Sequence, residues 1–161
     1  MDFNERLQKA IERGQRRGDA RARAEAEKAI NEQELQRLHS QYRLELSEQI
    51  ERCLRQVAEN LPGFRFETIV SDKGWGAAIS RDDVDITRSE GRTNYFSRLE
   101  MVVRPMSEYK VLDLAAKATV RNKELFRRNH YQRLIEVDLT SFTQMIDIWS
   151  LEYAELYAAK S

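Results

Sequence analysis

Residues 35–61 read LQRLHSQYRLELSEQIERCLRQVAENL, and this stretch decides the fold. Apolar side chains recur along it at steps of three or four residues: Leu35, Leu38, Tyr42, Leu46, Ile50, Leu54, Val57 and Leu61. The average step of about 3.7 residues is typical of a straight helix with one apolar face, and it exceeds the 3.5 of a left-handed coiled coil. Pro62 and Gly63 end the pattern, because proline removes a backbone amide and glycine tolerates the turn that follows. We therefore predict a long helix that lies on a sheet.

The residues before Leu35 also favour a helix, but they include few large apolar side chains that could be buried. Between residues 20 and 29, alanines alternate with charged residues, a composition of high helix propensity and small side chains. Gly14 and Gly18 each cost a helix interior about 1 kcal/mol. We therefore expect a hinge at 14–18 and a separate short helix over 3–13, along which three apolar residues line up: Phe3, Leu7 and Ile11.

Length suggests that this N-terminal part extends beyond the rest. A helix over residues 20–61 would measure about 60 Å, at 1.5 Å per residue. The remaining residues would form a body about 35 Å across. We therefore predict a projecting charged helical arm over 1–34 and a single α+β domain over 35–161.

From Phe64 onward the apolar residues recur every second position, which indicates strands. Four strands are expected around residues 64–70, 75–79, 95–103 and 109–120, the first two joined by turn residues at 72–74. Residues 125–135 are ambiguous between helix and strand, and the short polar turn before them favours a fifth strand. Residues 81–93 carry seven charged side chains, so we expect an exposed loop there, although Val84 and Ile86 suggest an extra strand.

A second helix is expected at the end of the chain. Asp138 is a good N-cap residue, since its side-chain oxygen can accept from the free amides of the first turn. Residues 138–158 then carry an apolar stripe of about four turns. The predicted fold is α+β: a long N-terminal helix, a four- to five-stranded antiparallel sheet, and a C-terminal helix packed on the same sheet face.

Composition excludes several classes of protein. The 161 residues are 41% hydrophobic, enough for a core, and 27 basic residues balance 27 acidic ones, so no net charge points to nucleic acid. Cys53, as one cysteine, cannot form an intramolecular disulfide, and no segment resembles a signal peptide or a membrane span. A cytoplasmic protein without membrane contact is the expectation.

Nothing in the residue spacing supports an enzyme, a metal site or a cofactor. Asp82, Asp83 and Asp85 lack the periodic ligands and the glycine of a calcium loop, so a solvated acidic loop is favoured over a metal site. His39 is expected to be partly exposed beside the helix stripe, and Cys53 to be a buried, inert thiol. The phosphate-binding loops and catalytic motifs with known signatures are absent from the sequence.

One basic stretch is a candidate binding site for an anionic ligand. Its cationic residues are Arg121, Lys123, Arg127, Arg128, His130 and Arg133, and they are interrupted by aromatic residues. If the segment is a strand, Arg128 and His130 project from one face, and Arg127 and Arg133 from the other. Guanidinium groups beside aromatic rings can bind phosphates and stack on bases. The alternative is a polar sheet face, or an ion-pair surface for the acidic last helix.

Three functions remain open at this point. The first is a non-catalytic interaction or assembly module that acts through the arm, as a homodimer or with a partner protein. The alternative for the arm is that the 3–13 helix folds back and packs against it. The second is binding of an anionic ligand, a nucleic acid or a small molecule on the sheet surface or in a helix-covered cleft. The third is an enzyme with a site that no sequence motif reveals.

Overall fold

The computed structural model describes residues 2–87 and 91–160, and its contacts divide the chain into two units, Met1–Arg37 and Leu38–Ser161. The elements, in chain order, are α1 (Phe3–Asn60), β1 (Arg65–Ser71), β2 (Gly74–Thr87), β3 (Gly91–Val103), β4 (Val111–Val120), β5 (Lys123–Arg133), a 3₁₀ turn (Leu134–Glu136) and α2 (Leu139–Lys160). The predicted fold class is confirmed. The predicted boundary after residue 34 stays a prediction.

Helix α1 begins at a side-chain cap and continues without a break. The backbone amide of Glu5 donates to the Asp2 carboxylate at 2.9 Å, which satisfies one of the free amides of the first turn. The helix then includes Gly14 and Gly18, so residues 3–13 are part of α1 rather than a separate helix. The residues around the glycines are strong helix formers, and they outweigh a cost of about 1 kcal/mol per glycine.

The five strands form one antiparallel sheet in the order β1-β2-β3-β4-β5. The prediction of a fifth strand is confirmed by β5, which pairs with β4 from Val111 opposite Arg133 to Val120 opposite Lys123. Short antiparallel connections join each strand to the next, so every strand lies beside its neighbours in sequence.

The predicted loop over residues 81–93 is wrong where the structure describes it, because β2 extends to Thr87 and β3 begins at Gly91. Backbone pairing continues out to Thr87 opposite Gly91, and three of the charged side chains form ion pairs on the strands. Asp82 binds Arg65 of β1 at 3.0 Å, and Asp83 binds Arg81 at 2.7 Å. Residues 88–90 of that prediction lie outside the described residues.

One face of the sheet is covered by residues 38–60 of α1 and by α2. The register places three apolar rows side by side on this face: Ala77 and Ile79, Met101 and Leu99, and Ala116 and Ala118. All six are buried. They pack with the buried residues of the two helices: Leu46, Ile50, Leu54, Phe142, Ile146, Trp149 and Tyr153. The predicted location of both helices on a single face is confirmed.

Hydrogen bonds position the helices against each other and against the sheet. The Gln49 side-chain amide donates to the Thr143 carbonyl at 3.1 Å, and the Tyr153 hydroxyl donates to the Thr119 carbonyl at 2.9 Å. Asp138 caps α2 as predicted, since its carboxylate accepts from the Thr140 amide at 3.2 Å. Neither helix has, within the described residues, the apolar length needed to cross a membrane.

Gly74 and Gly76 belong to the β1–β2 hairpin, as their sequence context predicts. A Cβ at Gly74 would lie 2.4 Å from the Val103 carbonyl oxygen, and one at Gly76 would lie 1.9 Å from that of Met101. Gly74 also has a φ of +141°, a backbone angle that residues with a side chain rarely adopt. Close strand approach therefore requires glycine at both positions.

Candidate functional site

The six basic residues predicted as a binding site are distributed over two faces of the sheet and one turn. Strand β5 alternates sides, and the register sets Arg128 opposite buried Ala116 and Arg127 opposite exposed Lys117. Arg128 and His130 therefore lie on the helix-covered face, and Arg127 and Arg133 lie on the opposite face. We call that opposite face the open face; it carries exposed Lys117 and Arg127 together with the buried apolar residues Ala78 and Val102.

Arg128 connects the sheet to α2. Its guanidinium binds both carboxylate oxygens of Glu152, one of them at 3.0 Å, and also lies 4.2 Å from the centre of the Phe126 ring. The hydrogen bond from Arg128 lowers the pKa of Glu152, so the carboxylate stays charged. Arg128 therefore forms an ion pair with the acidic last helix, which is one of the alternatives that the sequence analysis gave for this basic stretch.

His130 is likewise held by α2. Its Nε2 atom lies 3.1 Å from the Ser141 hydroxyl oxygen, and its ring meets the Phe142 ring edge-on with 4.5 Å between centroids. These contacts fix the imidazole between β5 and the start of α2.

Arg121 and Lys123 flank the turn between β4 and β5. Arg121 has a φ of 48°, its amide donates to the Ser97 hydroxyl at 2.9 Å, and its guanidinium lies 4.2 Å above the Tyr95 ring. Lys123 is exposed and begins β5. Of the six predicted residues, Arg127 is the one that joins a larger cationic group.

That group, the cationic concavity, also contains Lys73, Arg104 and Lys117, which the sequence analysis missed. With Arg127 they line a depression of about 310 Å³ on the open face. Lys73 lies in the turn between β1 and β2, Arg104 directly follows β3, and the other two lie on β4 and β5. These positions are separated by up to 54 residues in sequence. Only strand register brings them together, so no local pattern in the sequence could have identified the group.

Cys53 does not have the environment of a nucleophile. Its thiol donates to the Asp147 carboxylate at 3.2 Å. Burial, and then the nearby carboxylate, raise the pKa of Cys53 to about 11. The thiol is therefore protonated at neutral pH, whereas nucleophilic catalysis requires the thiolate.

The aspartates considered as metal ligands do not converge. Asp82 and Asp83 are neighbours on β2 and project to opposite faces, each bound to an arginine. The side chain of Asp85 lies outside the described part of the structure. Among the described side chains, no group of three His, Cys, Asp or Glu residues could hold a metal ion.

The N-terminal segment, residues 1–34, presents a second candidate surface. Every side chain described between residues 2 and 34 is exposed. Three of its large apolar residues follow one stripe of the helix: Phe3, Leu7 and Ile11, exposed by 75%, 42% and 47%.

Comparison of the chain with protein-family models, with curated proteins and with solved structures finds no match.

Proposed function

We propose that the protein is a non-catalytic assembly module that binds a second copy of itself through the N-terminal segment. The observation that carries this proposal is the exposure of Phe3, Leu7 and Ile11 at four-residue spacing. Side chains at this spacing form one stripe along a helix. A second helix against the stripe would remove apolar surface from water, a gain of about 25 cal/mol for each Å² buried.

The order of charges in the segment favours an antiparallel pair of copies. Residues 6–23 contain seven Arg or Lys and two acidic residues, whereas residues 24–34 contain four Glu and one Lys. An antiparallel pair centred near residue 20 places the basic block of each copy beside the acidic block of the other. A parallel pair would instead place like charges together, which costs free energy.

The match extends to individual residues. In an antiparallel pair centred there, residues whose numbers add to 40 or 41 lie at the same level along the pair. Lys9 and Arg16 are two positions from residues of the apolar stripe and project from the other side of the helix, so the charge match acts at a distance rather than through direct contacts. Four basic residues lie level with four acidic ones: Arg6, Lys9, Arg13 and Arg16 with Glu34, Glu32, Glu27 and Glu25. This self-complementary order favours a second copy over a partner of uniform charge.

Small residues continue the apolar stripe toward the centre of such a pair. Gly14, Gly18 and Ala22 follow Ile11 at steps of three or four residues. A Cβ added at Gly14 or Gly18 would meet no atom of the described chain within 4 Å. A partner helix therefore has room to approach closely at these positions.

Sedimentation velocity of the full chain at low salt tests the proposal with charge reversals. We expect a dimer for the native sequence and a monomer for Lys9→Glu/Arg13→Glu and for Glu27→Lys/Glu32→Lys at the same concentration. An equimolar mixture of the two variants should dimerise again, because residues 2–34 then carry ten acidic and six basic residues in one variant and six acidic and ten basic residues in the other.

The matched control is Glu45→Lys/Glu59→Lys, which reverses two exposed glutamates of α1 outside the segment and should leave the dimer intact. A native chain that stays monomeric at high concentration would overturn the proposal, as would reversals that leave the dimer unchanged. We infer a reducing, cytoplasmic setting for this assembly from Cys53, which has no second cysteine in the chain to pair with.

A further inference from the structure

The open face brings two cations directly opposite each other. Lys117 of β4 and Arg127 of β5 are register partners, and both side chains are exposed. Opposed residues in antiparallel strands lie close enough for like charges to repel. Neither forms an ion pair with a carboxylate in the described part of the chain. On its other side, Lys117 is the register partner of Glu100 of β3, which Arg98 binds at 3.2 Å, so one carboxylate lies among three cations. An anion bound between Lys117 and Arg127 would reduce the repulsion between them.

Lys73 and Arg104 extend the cationic concavity. Their side chains likewise have no ion-pair partner among the described residues. Glu100 is the one described carboxylate in the lining, and Arg98 already binds it at 3.2 Å. Four cations therefore surround a depression of about 310 Å³ whose one described carboxylate is bound by Arg98, which also binds Glu67 at 2.7 Å.

An aromatic concavity adjoins the cationic one. Arg104 lines both, and the second has a volume of about 840 Å³. Its lining includes Tyr109 and Tyr131, which are 76% and 67% exposed. Exposed tyrosine rings can stack on the flat ring of a ligand. Asp113, in the same lining, can accept a hydrogen bond from a hydroxyl or amino group.

We infer that these adjoining concavities bind a small phosphorylated ligand with an aromatic ring, of the nucleotide class. The phosphates lie among the four cations, where the Arg127 guanidinium can bind two oxygens at once. The ring lies against the tyrosines beyond Arg104.

The charge distribution favours a compact ligand over a nucleic acid strand. Asp72 and Asp113 line the aromatic concavity, form no ion pair among the described residues, and would repel a phosphate backbone that continued past Arg104. Glu67 and Asp82, farther along the open face, are bound to Arg98 and Arg65. This inference is independent of self-association through the N-terminal segment.

Calorimetric titration of the full chain with ADP, at low salt and without divalent metal, tests the site. We expect ADP to bind more tightly than adenosine, which lacks phosphate, and more tightly than pyrophosphate, which lacks the ring. Lys117→Gln/Arg127→Gln should weaken ADP binding by about tenfold or more, because each removed cation contacts phosphate. Tyr131→Ala should weaken binding of ADP and leave binding of pyrophosphate unchanged.

The matched control is Arg52→Gln/Lys123→Gln, which removes the same charge from exposed positions outside both concavities and should bind ADP normally. Circular dichroism melting of each variant confirms that it is folded. Absence of ADP binding at millimolar concentration would overturn the inference, as would equal affinity in the Lys117→Gln/Arg127→Gln variant. Tighter binding of a twelve-residue oligothymidylate through the same residues would overturn it in favour of nucleic acid.

Discussion

At the scale of single residues, burial decides what the candidate groups can do. His39 was expected to be partly exposed, but it is 5% exposed. Its Nε2–H group donates to the Arg104 carbonyl at 3.1 Å, and its ring lies edge-on to Trp75, with 6.5 Å between centroids. The expectation was wrong because the end of β3 covers that face of the helix, which the helix periodicity does not reveal.

The surroundings of His39 predict a dependence of stability on pH. Burial lowers the pKa of His39 and the Arg43 charge acts in the same direction, whereas the hydrogen bond to the Arg104 carbonyl opposes them. The unfolded chain therefore takes up the proton first as pH falls. The contribution of neutral His39 to folding stability is fully present above about pH 6.5, the ordinary pKa of a histidine. It is lost as pH falls toward the lower pKa of His39 in the folded chain.

Urea unfolding at pH 7.5 and pH 5.5 checks this prediction against His39→Gln, which keeps a side-chain donor but does not titrate. The native chain should lose more unfolding free energy than the variant between these pH values. The difference should be below about 1.4 kcal/mol, the equivalent of one pKa unit. Equal losses in the two proteins would show that His39 does not contribute.

At the scale of elements, helix α1 has two parts with different surroundings. Residues 38–60 contribute buried Leu46, Ile50 and Leu54 to the core, whereas the N-terminal segment contributes exposed side chains. Helix propensity alone gives little stability in water, and most helices depend on a packed apolar face. If the proposed dimer forms, a partner helix would supply such a face to the first part.

A substitution at Gly18 distinguishes the effect of helix propensity from the effect of a partner helix. Gly18→Gln should increase the helix signal by circular dichroism, because glycine costs about 1 kcal/mol in a helix interior. The same change should weaken the dimer, since a long side chain prevents close approach of the second copy. Ala20→Gln, on the opposite side of the helix, should leave the dimer unchanged. A Gly18→Gln dimer as tight as the native one would contradict the proposed interface.

At the scale of the whole molecule, we expect the backbone amides of the two units to differ in their protection from exchange with solvent. The unit Leu38–Ser161 holds the buried core, while the described side chains of the N-terminal segment are exposed. Local opening is easiest where few apolar contacts are made.

Hydrogen exchange followed by mass spectrometry checks this difference within one helix. At low protein concentration, amides of residues 5–33 should exchange much faster than those of residues 42–60. At a concentration that gives dimers, residues 5–33 should become protected in the native chain but not in Lys9→Glu/Arg13→Glu. Strong protection of residues 5–33 in a monomer would contradict the prediction.

Local patterns were enough to predict the α+β class, a long helix over residues 20–61 and the Asp138 cap, and they favoured the fifth strand. They wrongly divided the first helix at 14–18. These features depend on periodicity and on side chains within a few residues of each other, which the sequence displays directly. The same information predicted the two faces of β5, because side chains alternate along any strand.

Tertiary structure alone decided which of these residues lie together. Strand register set Lys117 opposite Arg127 and brought Lys73 and Arg104 to the same concavity, while α2 held Arg128 through Glu152. Cross-strand pairing also extended β2 to Thr87 and began β3 at Gly91, within the part of the chain where the loop was predicted. Such pairings join residues far apart in the chain, and their free energy depends on cross-strand partners that no local window contains.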